Sequence, residues 1–209
     1  MNSDEREHLE EELRRRAERG EHEAVAALGL RSYGPEIYGF LVGFHRNEQD
    51  AADVFSIFSE RLWRGLRGFG WECSFRTWAY AIARNTSCTY RRDAARRAKH
   101  EAPLPEGSVL CQIAEEVRSG TRSYLKTEAK QLGDRLRQSL SRDDAMLLTL
   151  RVDRRLSWND AARILHDGDE PLDDETLKRE AARLRKRFQD IKSKLLAMKD
   201  RAHRLEEVE

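Results

Sequence analysis

Apolar residues recur along this chain at three- and four-residue intervals for most of its length, so the pattern predicts helices throughout. Over residues 5–19, Leu9 and Leu13 face inward on an otherwise acidic helix that Gly20 closes. A second helix is expected over 23–30, and Gly34-Pro35 opens a third, on which Ile37, Phe40, Leu41 and Phe44 share a face. Beyond the polar turn Arg46-Asn47-Glu48, Ala51, Val54, Phe55, Phe58, Leu62 and Leu66 line one narrow face of a fourth helix. Its other side carries Asp53, Ser56, Ile57, Glu60 and Arg64, with Ile57 a lone β-branched apolar residue among polar neighbours. That isoleucine is either an ordinary exposed apolar side chain or the centre of a docking patch.

Residues 69–97, FGWECSFRTWAYAIARNTSCTYRRDAARR, combine aromatics, arginines and small polar groups in one segment. Phe75, Trp78, Ala79, Ile82 and Ala83 recur at helical spacing and want a core, with Ser74 placed as their N-cap. Arg76, Tyr80, Arg84, Ser87 and Arg91 form a second stripe on the same helix. From 84 to 99 there are six basic residues against one acid. The spacing fits two readings: a core helix with a solvated face, or a surface that stacks unpaired bases and neutralises phosphates.

Residues 99–123 hold Pro103, Pro105, Gly107, Gly120 and an excess of acid, which predicts a linker with a short amphipathic piece around 109–117. Helix is expected again from 124, with Leu125, Leu132, Leu136 and Leu140 roughly in phase, then a capped start at Ser141. Ser157 and Asp160 fit a capping box for a short helix with Ala161, Ile164 and Leu165 inward. The turn HDGDEPL leads to Asp173, an N-cap, and to a final helix whose seam runs Leu177, Ala181, Leu184, Phe188, Ile191, Leu195. Its opposite face shows Arg179, Ala182, Arg183 and Lys186, flanked by Lys178 and Arg185. A capped short helix, a turn and a capped basic helix read as a helix-turn-helix whose second helix enters the major groove. Arg179, Arg183 and Lys186 are candidates for guanine edges or phosphates, and Ala182 is small enough to meet a thymine methyl. Six acids between 167 and 175 repel phosphate unless they point away. The expected fold is all-α, with two small helical domains over 9–98 and 124–198 joined by a flexible acidic linker.

Composition adds less. The 209 residues are 37% charged with a formal net charge of +1, but the charge is segregated: residues 1–23 carry nine acids and five bases, and residues 178–194 eight bases and two acids. Two basic blocks divided by acidic stretches suit two contact surfaces for a polyanion. No apolar run reaches the length of a membrane span, and the polar, acidic N-terminus lacks the character of a targeting peptide. Cys73, Cys88 and Cys111 show no metal-ligand or redox spacing, which predicts reduced thiols and a cytoplasmic protein without a metal or other cofactor. Motifs for nucleotide binding, hydrolysis or zinc-dependent proteolysis are absent, so the sequence points to a binding protein rather than an enzyme.

Taken together, DAADVFSIFSERLWRGLRGF, CSFRTWAYAIARN and RRDAARR resemble region 2 of bacterial sigma factors of the extracytoplasmic-function (ECF) group. LSRDDAMLLTLRVDRRLSWNDAARIL and LDDETLKREAARLRKRF are similar to region 4 of the same group, in the right order. The resemblance implies a transcription-initiation factor that binds core RNA polymerase and promoter DNA, with an anti-sigma factor as a possible further partner. It implies that Asp53, Ser56, Ile57, Glu60 and Arg61 meet the clamp helices of the largest polymerase subunit. It places Trp71, Ser74, Arg76, Tyr80, Arg84, Asn85, Arg91 and Arg92 at the downstream (−10) element, whose flipped base falls to the loop 68–73. Lys178, Arg179, Ala182, Arg183 and Lys186 then read the upstream (−35) element. Two features depart from the group: Ser56-Ile57 stands where many members have Gln-Glu, and the turn before the last helix is longer and acidic. Two other readings of the residues are a regulator that binds DNA without replacing a sigma factor, and a sigma-like helical interaction protein.

Overall fold

The computed structural model describes residues 1–92, 108–125, 139–167 and 172–206, and these are helical with no strand among them. The chain divides into two compact units, Met1–Lys126 and Thr127–Glu209.

In the first unit, α1 (Ser3–Glu18) starts with a capping box between Asn2 and Glu5. It stops before Gly20, whose φ of +76° is a left-handed value that glycine accepts without strain. Next, α2 (His22–His45) is one continuous helix where two were expected. Proline at 35 removes the donor for the carbonyl of Arg31 and its ring crowds that carbonyl, a defect that water can partly relieve where the carbonyl is open to solvent. Arg31 and Pro35 are both exposed, so the gap falls on the solvent side while Tyr33, Ile37, Tyr38 and Leu41 stay buried. The α2 helix ends on Arg46 in the left-handed region, and Asn47 caps α3 (Glu48–Gly65) through the Gln49 and Asp50 amides. A 3₁₀ turn, Leu66–Gly68, leads to α4 (Phe75–Arg92).

The core of this unit is aromatic: Tyr33, Tyr38, Phe55, Phe58, Phe75 and Tyr80 are among its largest fully buried side chains. Gly29 marks where α2 and α4 close up, since a Cβ there would sit 2.3 Å from the Phe75 ring. Within the segment expected as linker, α5 (Val109–Leu125) is a seventeen-residue helix that belongs to this unit and packs along α2 and α3. Leu110, Ile113, Ala114 and Val117 are its buried face, and Gly34 of α2 gives Val117 room. Prolines and net acid mark the stretch before α5, but they do not prevent an apolar face at 110, 113, 114 and 117 from finding a partner.

In the second unit, α6 (Arg142–Leu148) runs into a wider π turn, Thr149–Asp153. The short α7 (Trp158–Leu165) and the long α8 (Asp174–Glu206) follow. Both predicted caps form: Ser157 and Asp160 make a reciprocal capping box, and Asp173 accepts from the Glu175 and Thr176 amides. The seam of α8 packs with Leu147, Leu148, Ala161 and Ala162, while Trp158 and Phe188 meet edge to face at 5.5 Å. Of the helix expected from 124 to Leu140, residues 124–125 instead end α5, and 126–138, with Leu132 and Leu136, lie outside the described residues.

Candidate nucleic-acid and protein interfaces

The start of α4 is fixed from three directions. Ser74 is its N-cap, its hydroxyl oxygen accepting the Thr77 N–H at 3.0 Å. From α1, the Glu10 carboxylate accepts the Phe75 N–H at 2.7 Å and the Arg76 N–H at 3.0 Å. From α2, Tyr33 donates its hydroxyl to Glu10 at 2.8 Å and lies stacked near Phe75, with ring centroids 6.2 Å apart. Burial raises the Tyr33 pKa, and the neighbouring Glu10 charge raises it further, so the phenol stays a donor. A carboxylate facing the first N–H groups of a helix also meets the positive end of its dipole.

Ahead of this start lies an aromatic shelf. Phe69 stacks on Trp78 at 4.5 Å with planes 12° apart and meets Trp71 at 4.7 Å. The three rings are half-buried, so their outer parts reach solvent. Trp71 holds a left-handed φ of 57°, a conformation that bulky side chains rarely take. Sequence spacing put Trp78 with the core; the Phe69–Trp78 stack at the rim was not legible, because Phe69 sits outside the helical repeat.

The second stripe of α4 is largely inside the protein. The Arg76 guanidinium is 6% exposed and donates to both carboxylate oxygens of Glu36, at 2.6 and 3.0 Å. Burial alone would lower the Arg76 pKa; the Glu36 partnership outweighs it, and the net direction is upward. Tyr80 is fully buried against Phe40, and Arg84 is 8% exposed with one N–H donated to Asn85. As folded here, Arg76, Tyr80 and Arg84 do not present a surface. Asn85, Arg91 and Arg92 do, with the Arg91 guanidinium 5.7 Å from the Phe44 ring centre. The bases Arg96, Arg97 and Lys99 lie outside the described residues.

On α3, the outer residues are less open than the wheel implied. Asp53 accepts the Tyr90 hydroxyl at 3.1 Å and a Gln49 amide N–H at 3.0 Å. Burial first, then the Asp53 and Asp50 charges, push Tyr90 up to about 12. Ser56 accepts a hydrogen bond from Arg118 of α5 at 2.9 Å, and Ile57 and Arg61 are half-buried. Glu60 is 4% exposed, its carboxylate capped by Arg64 at 2.6 Å. Nothing in the spacing of α3 foretold Arg118, because its contact comes from a helix 62 residues away.

In the second unit, Lys178, Arg179, Ala182, Arg183 and Lys186 are all exposed along one side of α8. They stand opposite its buried seam, so their presentation follows directly from the 3.6-residue period. Of the acids, Asp173 uses its carboxylate to cap α8 while remaining exposed, and hydrogen bonds from Thr176 hold its pKa below the ordinary range. Asp167, Asp174 and Glu175 are exposed, and Asp169 and Glu170 lie outside the described residues. Behind α8, the Trp158 ring lies between Arg151, 4.1 Å away, and Arg185, 5.8 Å away.

No helix among the described residues is long and apolar enough to cross a membrane. Residues 30–97, from mid-α2 through α4, match the Sigma-70 region 2 family. The chain is also similar to the RNA polymerase sigma-H factor of Pseudomonas aeruginosa, at 29% identity over 165 residues, which span 75% of this chain and 82% of that protein. No solved structure matches it.

Proposed function

The chain belongs to the sigma-70 family of sigma factors, the proteins of transcription initiation, and from that premise we propose that it is an ECF-type member. It binds core RNA polymerase, recognises the two promoter elements and promotes opening of the downstream one. The observation that carries this reading is a region 2 match in the first unit joined, in the second, to a capped helix pair with a basic exposed face.

In this reading the division of labour is the one that the sigma-factor resemblance implies, and the exposed faces support it. The α3 face with Asp53, Ser56, Ile57 and Arg61, and Glu60 beneath Arg64, docks on the polymerase clamp helices. The shelf of Phe69, Trp71 and Trp78 takes an unstacked base of the displaced strand, and stacking on an aromatic is worth about 1–3 kcal/mol per base. That gain offsets the few kcal/mol of unpairing, so capture and melting are one event. Asn85, Arg91 and Arg92 follow the backbone of the same strand. Lys178, Arg179, Ala182, Arg183 and Lys186 enter the major groove of the upstream element.

The test is transcription in vitro. Core polymerase with this protein is expected to start at a defined position on a cognate promoter, mapped after overexpression and confirmed by run-off. Absence of a holoenzyme on mixing with core polymerase removes the reading. A DNA-binding regulator would instead need another sigma factor for any transcript to appear.

A further inference from the structure

We propose that Glu10 is a positioning residue for strand opening: it holds the start of α4, and with it the aromatic shelf, in the geometry that takes a base. This rests on the reading of loop 68–74 as the base-capturing element. Three observations carry it. Glu10 lies on α1, 65 residues from Phe75, yet its two oxygens take the first two N–H groups of α4. Ser74 already takes the third, so the helix has an ordinary cap without Glu10. What the second acceptor adds is an anchor in space, because Tyr33 pins the same carboxylate to α2 at 2.8 Å.

The loop needs such an anchor. Trp71 sits at φ 57°, and a bulky residue stays in the left-handed region only where the surroundings hold it there. Its neighbour along the chain on one side is the 3₁₀ turn at Leu66–Gly68; on the other side it is the α4 start that Glu10 grips. Across that interval Phe69 stacks on Trp78 and meets Trp71 at a tilt of 41°. If the α4 start moves by a fraction of an ångström, the Phe69–Trp78 stack is disturbed before the helix bundle loses its core. Glu10 acts through the Phe75 and Arg76 amides, which it holds directly.

The experiment compares full-length wild type, Glu10→Ala and Glu10→Gln, each with core polymerase. Holoenzyme formation is read by core-binding titration, and strand opening by permanganate reactivity of downstream-element thymines over time. The expected result for Glu10→Ala is core affinity within about twofold of wild type, with opening slowed about tenfold or more, the scale of one or two lost charged hydrogen bonds. A template already mismatched across the downstream element restores most of the transcript, since the strand no longer has to be opened. Glu10→Gln keeps one acceptor oxygen and falls between the two; it replaces the alanine variant if that one does not fold. Opening at the wild-type rate in a folded variant overturns the proposal. So does an equal loss of core binding and opening, which would make Glu10 only a support of the bundle. Wild-type protein that opens no promoter with core polymerase instead overturns the sigma-factor reading on which this rests.

Discussion

Arg187 Nε donates to Asp144 Oδ1 at 2.7 Å, tying the middle of α8 to the first turn of α6. Burial pushes the Asp144 carboxyl up, but hydrogen bonds from Arg187 and Ser141, with the charges of Arg187 and Lys194, outweigh it and leave its pKa below the ordinary value. A carboxylate depressed on folding stabilises above its unfolded pKa, about 3.9, and loses that contribution as pH falls through the lower folded value. Asp144→Asn is therefore expected to cost about 1 kcal/mol near neutral pH, modest because the Arg187 side chain is 40% exposed. The difference from wild type should start to shrink near pH 4 and vanish only once the pH is below the lower folded value. Urea unfolding of the full chain at several pH values, followed through Leu147 and Ile191 methyl resonances, checks it; a gap that persists in acid would mean the charge is not the cause.

The Arg76–Glu36 pair predicts a defect of folding before one of DNA binding. Arg76→Ala leaves a carboxylate in a low-polarity setting without its partner and is expected to cost about 3–5 kcal/mol. Replacing both, as Arg76→Met with Glu36→Leu, should lose much less, because no buried charge is left over. Chemical denaturation of the two variants decides the matter: equal losses would show that the packing, and not the orphaned charge, sets the cost.

Gly29 permits the contact between α2 and α4 through its missing side chain. Gly29→Ala drives a methyl to within 2.3 Å of two atoms of the buried Phe75 ring, so the helices must separate or the ring must move. A loss of about 1–3 kcal/mol is expected, the usual cost of overpacking. Adding Phe75→Leu should recover part of it, measured as the shift in denaturation midpoint.

Arg183 makes a test of α8 as a reading helix. Among the described residues it pairs with Glu180 at 3.6 Å on an exposed surface, a pairing worth little to stability. Arg183→Ala is expected to leave the melting temperature nearly unchanged and weaken upstream-element binding by about 1–3 kcal/mol with relaxed preference at one base position. Unchanged affinity in a binding titration would take Arg183 off the DNA face.

The second unit was the more legible of the two. There the caps at Ser141, Ser157 and Asp173 and the seam from Leu177 to Leu195 are local, and each is set by residues within one or two turns. The α4 stripe was not legible in the same way. Arg76, Tyr80 and Arg84 looked like a polar face because a helical wheel has no record of Glu36, 40 residues earlier, or of Phe40 against Tyr80. A helix gripped by α1, α2 and α3 buries two stripes, and charge alone does not tell a buried pair from a solvated one. Pro35 misled for a related reason: whether a proline ends a helix depends on which side of the helix meets water. Glu10 gave no signal beyond being one acid among nine at the N-terminus.

Two of the four arginines on α4, Arg76 and Arg84, are buried, and this changes what electrolyte should do to the complex. DNA gives up condensed counterions only to cations that reach its phosphates. In the described part of the helix the exposed arginines are Arg91 and Arg92. Removing either is expected to flatten the plot of log affinity against log salt by about 0.9 on duplex, or about 0.7 on a single strand. A folded Arg84→Met variant should leave that slope where it was, and a flattened slope would place Arg84 at a phosphate. Towards an electrolyte, α4 then behaves as a doubly charged rod, not the fourfold one that its composition describes.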